Sequence, residues 1–511
     1  MSGHTSAVDG SHGHAVVIGS SLAGLTAAAA LANFMDRVTV VERDWIPRGS
    51  ARRPGVSQAR HTHSLMPAAL NGFEQLLPGI GQDLTRAGAV RVRMTQDMLL
   101  LGPAGWLPRF DSGLSMLSAG RDLIDSVIRD RLRADPKVTF VPEHEAVALQ
   151  GGRHDTVTGV WVRGRDRTAP GGWGPRLLLS AEFVVDASGS GSRAPQWLAE
   201  LGYAPPRETV ADTRTACATA LFAPPIGHVA DFKGAVLWAW AGRRRQGRLH
   251  PVEGGRWSVS ISTDDGTPPP ATHEELLRAA GTLSHPLLHE VMEAATPLGP
   301  VYGCQSTSSR WRHYEKLRRF PDQFLVVGDA LALCDPVHGQ GMTLAVQGAL
   351  VLDEMLAGHG TAVGLGYRLR QALAHRLAPA WQSGVRSPWA PGAGRRLPGG
   401  LRARLSQRYT ARIAAAATTD PYAATMLLEL METTSAPALL RPRALRAALS
   451  GPRGPAPTEP PSTTHGHLPR RRPAPPATPA AGVTTSSARP HPASSPDVWT
   501  AAAPTGDRRR P

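Results

Sequence analysis

Cysteine is almost missing from this chain: Cys217, Cys304 and Cys334 are the only three in 511 residues. So few, so widely spaced and odd in number, they exclude a disulfide framework and a cysteine-rich metal site, and they suit a reducing cytoplasm. Lysine is as scarce, with Lys137, Lys233 and Lys316 alone, so the formal net charge of +15 rests on arginine. Together with abundant Ala, Pro and Gly, this looks like a coding bias toward GC-rich codons. Aromatics do not alternate with a basic stripe, which excludes nucleic acid as a partner. No run of about 18 apolar residues is free of polar breaks, so the chain is expected to be soluble and not integral to a membrane. No Ser-His-Asp or paired-carboxylate arrangement is readable from spacing, and His61-x-His63 alone has too few ligands to hold a metal. There is no internal repeat. The length allows a large core and two to three domains.

What is present is a pair of glycine-rich turns, far apart in the chain. The first follows the β-branched run Val16 to Ile18 and reads Gly19-Ser20-Ser21-Leu22-Ala23-Gly24. An alanine-rich stretch comes next, then a second apolar run, Val38 to Val41, ending at Glu42. This order predicts a strand–turn–helix–strand dinucleotide unit. Gly19 would permit the tight turn, Gly24 would let the helix pack close to the strand, and the helix N-terminus would receive a pyrophosphate. Glu42 lies 18 residues past Gly24, where an acid binds adenosine ribose hydroxyls. Ser21 replaces the usual middle glycine and slightly obstructs the approach of backbone to phosphate. No cationic segment precedes the apolar run, and Gly and Ser interrupt it, which argues against a signal peptide or membrane anchor.

The second turn lies in residues 324–344. A buried strand is expected to enter Gly328-Asp329, and Pro336, Gly339 and Gly341 carry the loop into an apolar helix near Met342. An acid at a strand end accepts hydrogen bonds from sugar-like hydroxyls, and a glycine-rich helix entry turns free N–H groups and a positive dipole end toward an electron-rich group. Holding a flavin's ribityl chain and pyrimidine ring needs both. A bare Gly-Asp would be an ordinary strand–loop–helix turn; the first motif weighs against that.

Between the two turns the pattern changes. Residues 88–110 read as extended, Arg121 opens an amphipathic helix with Leu123, Ile124, Val127, Ile128 and Leu132 at helical spacing, and Phe183 to Asp186 is a buried strand followed by a glycine turn. Residues 205–320 are strand-rich, for example Trp257 to Ile261, with one helix near 273–295. The expected fold is α/β. A Rossmann-like flavin-binding domain assembled from 14–85, 119–204 and 321–384 carries an inserted β-sheet substrate domain, 86–118 and 205–320. A C-terminal helical region, 385–450, has Pro421 and Pro437 as breaks. Residues 1–13 form a polar lead, and 451–511 are too poor in apolar residues to offset their ordering entropy; both are expected to be disordered.

These motifs resemble the FAD-dependent monooxygenases of the p-hydroxybenzoate hydroxylase fold, and within them most nearly the squalene-epoxidase-like flavin epoxidases of actinobacterial polyether biosynthesis. The resemblance covers roughly residues 14–450 and rests on the Gly19–Gly24 turn, Val40 to Asp44, Gly55 to His63, Asp186 to Arg193, His285-Pro286, Thr296 to Pro300, Tyr314-Glu315, Gly328-Asp329, Asp335 to Met342 and Leu440 to Pro442. It implies FAD, with Glu42 on the adenosine ribose, Asp329 on the ribityl hydroxyls, Arg121 near the phosphates and the backbone of Gly341 and Met342 at the flavin N1–C2 edge. The full cofactor-binding set then comprises Gly19, Ser20, Ala23, Gly24, Glu42, Arg43, Arg60, His61, Arg121, Asp329, Pro336, Gly339, Gly341 and Met342. His338 stands where such sequences commonly have an aromatic, and Asp335 where asparagine is frequent. The Asp186 motif lacks the glycine that the hydroxylases carry immediately after the acid, so NAD(P)H supplies electrons either directly or through a separate flavin reductase.

Other residues read more plainly. Trp238 and Trp240 alternate on an expected strand but lack the Ile-Pro that follows the tryptophan motif of flavin halogenases; they read as core or pocket lining. Cys334 adjoins the flavin loop without a partner thiol. Asp186 shapes a turn through backbone hydrogen bonds. The functional expectation is a cytoplasmic monooxygenase of secondary metabolism that epoxidises alkenes of a lipophilic polyketide or terpenoid, using O₂ through a C4a-hydroperoxyflavin. The cofactor carries the chemistry, so no protein nucleophile or base is needed, and the catalytic residues stay unassigned. Aromatic hydroxylation, alkene reduction as in geranylgeranyl reductases, and a non-catalytic flavin-binding partner protein remain the alternatives.

Overall fold

A computed structural model of the chain describes residues 13–386 except 54, 229, 241, 242 and 363, together with 401–433, 442–450 and 459–461. The polar lead up to residue 12, the break expected at Pro437 and nearly all of the expected disordered tail lie outside the described residues.

Its centre is a five-stranded parallel sheet in the order Phe324–Val326, Phe183–Asp186, His14–Ile18, Arg37–Val41, Val138–Val141. These runs are apolar at nearly every position because helices and loops cover both faces, a burial that leaves no polar side to alternate with. Val16 pairs with Val184 on one side and Thr39 on the other. The strand order reverses at His14–Ile18, and such a switch point opens a crevice at the carboxyl ends of the flanking strands. Gly19, Glu42, Ala187 and Gly328 all occupy strand ends on that side.

Two helices fix the crevice. Leu22–Ala32 is buried on almost every face and packs against Gly341–His359, the long helix that follows the second glycine loop. Gly24 lets the first helix lie close against the turn that precedes it: a Cβ there would sit 1.8 Å from the Gly19 carbonyl oxygen. At Gly328 a Cβ would lie 2.5 Å from the Ala23 Cβ, so the second glycine loop also approaches the first helix only without a side chain.

The strand-rich material forms an eight-stranded sheet dominated by the long antiparallel pair Glu208–Ala223 and Thr296–Arg312. A small sheet joins Ser64–Leu65, Ser115–Ser118 and Val90–Arg93. A further antiparallel sheet, His144–Gly151, Val157–Arg165 and Trp173–Ser180, has no counterpart in the sequence reading. The single helix expected near 273–295 is two, His273–Ala280 and Leu287–Ala294. The first ends at Gly281, and Pro286 keeps the two apart: its ring disfavours helical backbone at His285 and caps the second helix. The strand Gly234–Leu237 ends before Trp238, and Trp240 only bridges to Arg243, so the two tryptophans do not alternate on one strand as expected.

Three apolar cores result. One surrounds the parallel sheet, one lies between the large sheet and the two short helices, and the third joins the large sheet to the C-terminal helices Leu401–Ala417, Pro421–Thr433 and Pro442–Ser450. In the third, Met98, Leu100 and Trp238 meet Ile413, Leu427 and Leu428. No helix among the described residues is long and apolar enough to cross a membrane.

Candidate active site

At the carboxyl ends of the parallel strands lies a polar cleft of about 470 Å³. The helix Leu22–Ala32 begins there with Ser21 as its cap, without a capping side-chain hydrogen bond and without an acid in its first turn. Gly341–His359 starts in the same way after Gln340. Two helix N-termini therefore present backbone donors and positive dipole ends to the cleft. Arg121 adds a cation: its Nη2 donates to Ser21 Oγ at 3.0 Å while Nε is held by Asp125 at 2.7 Å.

Glu42 closes one end. Its carboxylate accepts from the Ser20 N–H at 2.9 Å, the Ser20 hydroxyl at 2.7 Å and the Asp44 N–H at 3.0 Å, and it pairs with Arg53 at 2.5 Å. Burial alone would raise this carboxyl, but the Arg53 charge and the hydrogen bonds from Asp44 and Ser20 outweigh it and hold it below its ordinary value. Asp329 marks the other end, half-buried, with no hydrogen bond to its carboxylate among the described residues. Burial pushes its carboxyl up, with Arg121 and Arg310 pulling the other way.

Beyond Asp329 the cleft opens into a chamber of about 250 Å³, and Gln58, Arg121, Asp329, Gly341 and Met342 line both. The character changes at once. Met66, Met94, Met98 and Met116 line the chamber with Trp238 and Leu428, so it is chiefly apolar. Among the polar side chains that line it are His61, His63, Arg248 and His250. His63 is lowered to about 3 by burial and by Arg121, and His250 to about 3 by burial and by Arg248. Both are neutral at physiological pH. His250 Nδ1 meets Ser64 Oγ at 2.7 Å, and its Nε2 has no partner among the described residues. Arg248 donates to the Val337 carbonyl at 2.8 Å and has no carboxylate partner among the described residues.

Of the residues expected from sequence to contact a cofactor, Gly19, Ser20, Ala23, Glu42, Arg43, Arg121, Asp329, Gly341 and Met342 line the cleft. His61, Pro336 and Gly339 line the chamber, and Gly24 lies beneath the first turn as a packing contact. Arg43 is at the rim, its side chain 65% exposed. Arg60 is brought to neither space. Its guanidinium stacks over Tyr302, 4.2 Å from the ring centroid, and the arginine the loop delivers to the cleft is Arg53. Both follow the second strand, Arg53 in irregular backbone and Arg60 at the end of the short helical turn Ser57–Arg60. Asp335 is fully buried: it accepts from the Val337 N–H at 3.0 Å and from Thr215, shaping the loop that the second glycine motif needs. The side chain of His338 lies outside the described residues. Asp186 accepts from Ser188 and Ser192 and so shapes its turn as expected.

The donor set fits a flavin adenine dinucleotide: an acid among hydroxyl-sized neighbours at one end, uncapped helix N-termini and an arginine in the middle, a second acid beyond them, and an apolar chamber after that. The FAD binding domain family matches residues 13–385. The chain belongs to that family. This FAD binding domain protein is 32% identical over 380 residues to Protein Rv3254 of Mycobacterium tuberculosis, covering 72% of this chain and 78% of the relative. Its fold is shared with PqsL, described as a probable FAD-dependent monooxygenase from Pseudomonas aeruginosa, at 20% identity, TM-score 0.53, over 73% of this chain and 94% of that one. It is shared likewise with 2-methyl-3-hydroxypyridine-5-carboxylic acid oxygenase (19% identity, TM-score 0.53, 80% and 97% covered) and with the flavin-dependent brominase Bmp2 (15%, 0.57, 86% and 100%). At these identities the likeness establishes the fold, which hosts oxygenation and halogenation alike.

Proposed function

We propose that the protein is an FAD-dependent monooxygenase that epoxidises an alkene of a lipophilic polyketide or terpenoid. The observation that carries this reading is the direct opening of the polar cleft into a methionine-rich chamber whose histidines His63 and His250 are held neutral and far below the range of a useful base. When bound and reduced, FAD supplies the two electrons that let one atom of O₂ enter a substrate while the other leaves as water.

The chain's own part is binding and exclusion. Glu42 and the helix N-termini hold the dinucleotide, and Asp329 accepts from its hydroxyls. The amides at Gly341 and Met342, at the positive end of a long helix, stabilise negative charge at the electron-rich ring edge. Met98, Trp238 and Leu428 keep water from the reacting centre and receive the apolar substrate. The cofactor part would comprise 14–85, 119–204 and 321–384, and the substrate part 86–118 and 205–320. NAD(P)H provides the electrons, directly or through a separate flavin reductase, in the cytoplasm.

One feature favours a second reading. Arg248, a cation on the chamber wall with no acid beside it among the described residues, would stabilise a phenolate, as an aromatic hydroxylase requires. The deciding experiment supplies reduced FAD and ¹⁸O₂ with a lipophilic polyene or with a phenol. Epoxidation predicts a product heavier by one labelled oxygen, an alkene signal lost and no new phenol. Oxygenation of the phenol alone decides for the hydroxylase. A polyene reduced by two hydrogens without oxygen uptake decides for an alkene reductase.

A further inference from the structure

Cys217 and Cys304 lie in the two longest strands of the large sheet and are directly opposed antiparallel partners. Residues so paired share one face of the sheet, with Cα atoms about 4.5–5.5 Å apart. That separation falls inside the range of about 4.4–6.8 Å that a disulfide spans. Both thiols are free, and with one ring nitrogen of His61 their sulfur atoms all lie within 4.8 Å of one another. All three side chains line the chamber. Nothing in the reaction proposed above employs the sulfurs.

Such a trio also has the composition of a soft-metal site, but its surroundings argue otherwise. Arg248 is close enough to act on Cys217, and its fixed positive charge disfavours a second cation there. The His61 Nδ1 is already engaged with Thr219 Oγ1 at 2.9 Å. We propose that Cys217 and Cys304 form a redox-active dithiol that takes a hydroperoxide as its oxidant.

Cys304 is the attacking sulfur. Hydrogen bonds from Cys217 and then, against the cost of burial, from His61 hold its thiol below the ordinary value. Its thiolate attacks one peroxide oxygen: the S–O bond forms, the O–O bond breaks, and the departing oxygen takes a proton to leave as alcohol or water. Cys217 then displaces hydroxide from the sulfenic sulfur: the S–S bond forms, the S–O bond breaks, and the hydroxide is protonated to water. The two thiols lose two electrons and two protons, and the hydroperoxide gains them. A small-molecule thiol restores the pair by exchange. Cys334 cannot compete, because burial and the nearby Asp329 and Asp335 push its thiol far up.

The test uses the full chain purified with FAD, reduced with a thiol and desalted, then treated with one equivalent of hydrogen peroxide. Denaturing alkylation and peptide mass mapping follow. The expected result is loss of two of the three free thiols, a Cys217–Cys304 linked peptide lighter by two hydrogens, and Cys334 alkylated. Cys217→Ser should prevent the link and leave a sulfenic acid on Cys304 that dimedone captures. The unmodified chain gives the primary readout, so a poorly folding variant does not shield the idea. Cys334 oxidised first, or Cys217 and Cys304 both still alkylated after peroxide, would overturn it. Stoichiometric zinc that survives desalting and protects the two thiols would overturn it too, in favour of the metal.

Discussion

The polar cleft and the apolar chamber meet at Arg121, Asp329, Gly341 and Met342, yet they are built by opposite means. Much of the cleft is backbone. Strand ends, two helix N-termini and the close approaches at Gly24 and Gly328 shape it, with charged side chains such as Glu42, Arg53 and Arg121 at its margins. The chamber is made of side chains: methionines from four separate stretches, Trp238 from the large sheet and Leu428 from the last third of the chain. It follows that the cleft should be intolerant of an added carbon and forgiving of many side-chain exchanges, whereas the chamber should respond to volume, charge and pH.

The sharpest way to break this contrast is at Gly24. A Cβ there would meet the Gly19 carbonyl oxygen at 1.8 Å and its carbon at 2.9 Å, so helix and turn cannot both keep their places. Gly24→Val should cost more than about 4 kcal/mol, the scale of the severest single substitutions. Urea unfolding and FAD retention measure it; a soluble variant with the parent's midpoint and full flavin would show that the turn is not held by backbone contact.

A smaller effect is expected at the junction of the two regions. Asp329→Ala should weaken FAD binding by about 1.5–3 kcal/mol, the range for hydrogen bonds to a charged group. That is roughly 10- to 150-fold in Kd. Thermal stability without FAD should fall little or rise, because burial pushes this carboxyl up and its removal relieves a cost. Unchanged affinity in a fluorescence titration would mean that the acid serves the loop and not the ligand.

The smallest effect distinguishes the chamber by pH. His250 is buried and neutral, lowered to about 3 from an ordinary 6.5. Below pH 6.5 the unfolded chain gains a proton there that the folded chain does not, so stability must fall as pH falls from 6.5 toward 3. The contribution is up to about 1.4 kcal/mol per pH unit for one such group. His250→Asn should lessen the decline between pH 6.5 and 5, to which His63 still contributes, above the range where Glu42 and Asp97, both lowered carboxyls, begin to lose theirs. Parallel stability curves for parent and variant would show that His250 is hydrated in the folded state.

How much of this was legible in the chain follows from the same contrast. The cleft is encoded locally: Gly19 to Gly24 is one turn, Glu42 follows on the adjacent strand, and Asp329 to Met342 is one loop. The places of Gly19, Glu42, Asp329 and Met342 along the cleft depend on neighbours within a few residues, so spacing alone indicates them. Arg53 escaped because the choice between it and Arg60 is made by distant packing, with Tyr302 taking one guanidinium and Glu42 the other. The break between the helices His273–Ala280 and Leu287–Ala294 was signalled by Pro286 itself. Arg248, His250 and the chamber methionines carry no local signature at all. Cys217 and Cys304 are the clearest case: far apart in the chain, they become neighbours only through the register of two long strands.

The C-terminal helices have a consequence for how the protein is made. Ile413, Leu427 and Leu428 cover one face of the large sheet, and Leu428 helps to enclose the chamber. Every other wall of that chamber is synthesised by residue 343. A chain emerging from the ribosome therefore displays a greasy, half-built pocket until the helix Pro421–Thr433 arrives to cover it. A message interrupted just beyond the second glycine motif would yield a product with every dinucleotide-binding signature intact and an adhesive surface in place of an enclosed chamber.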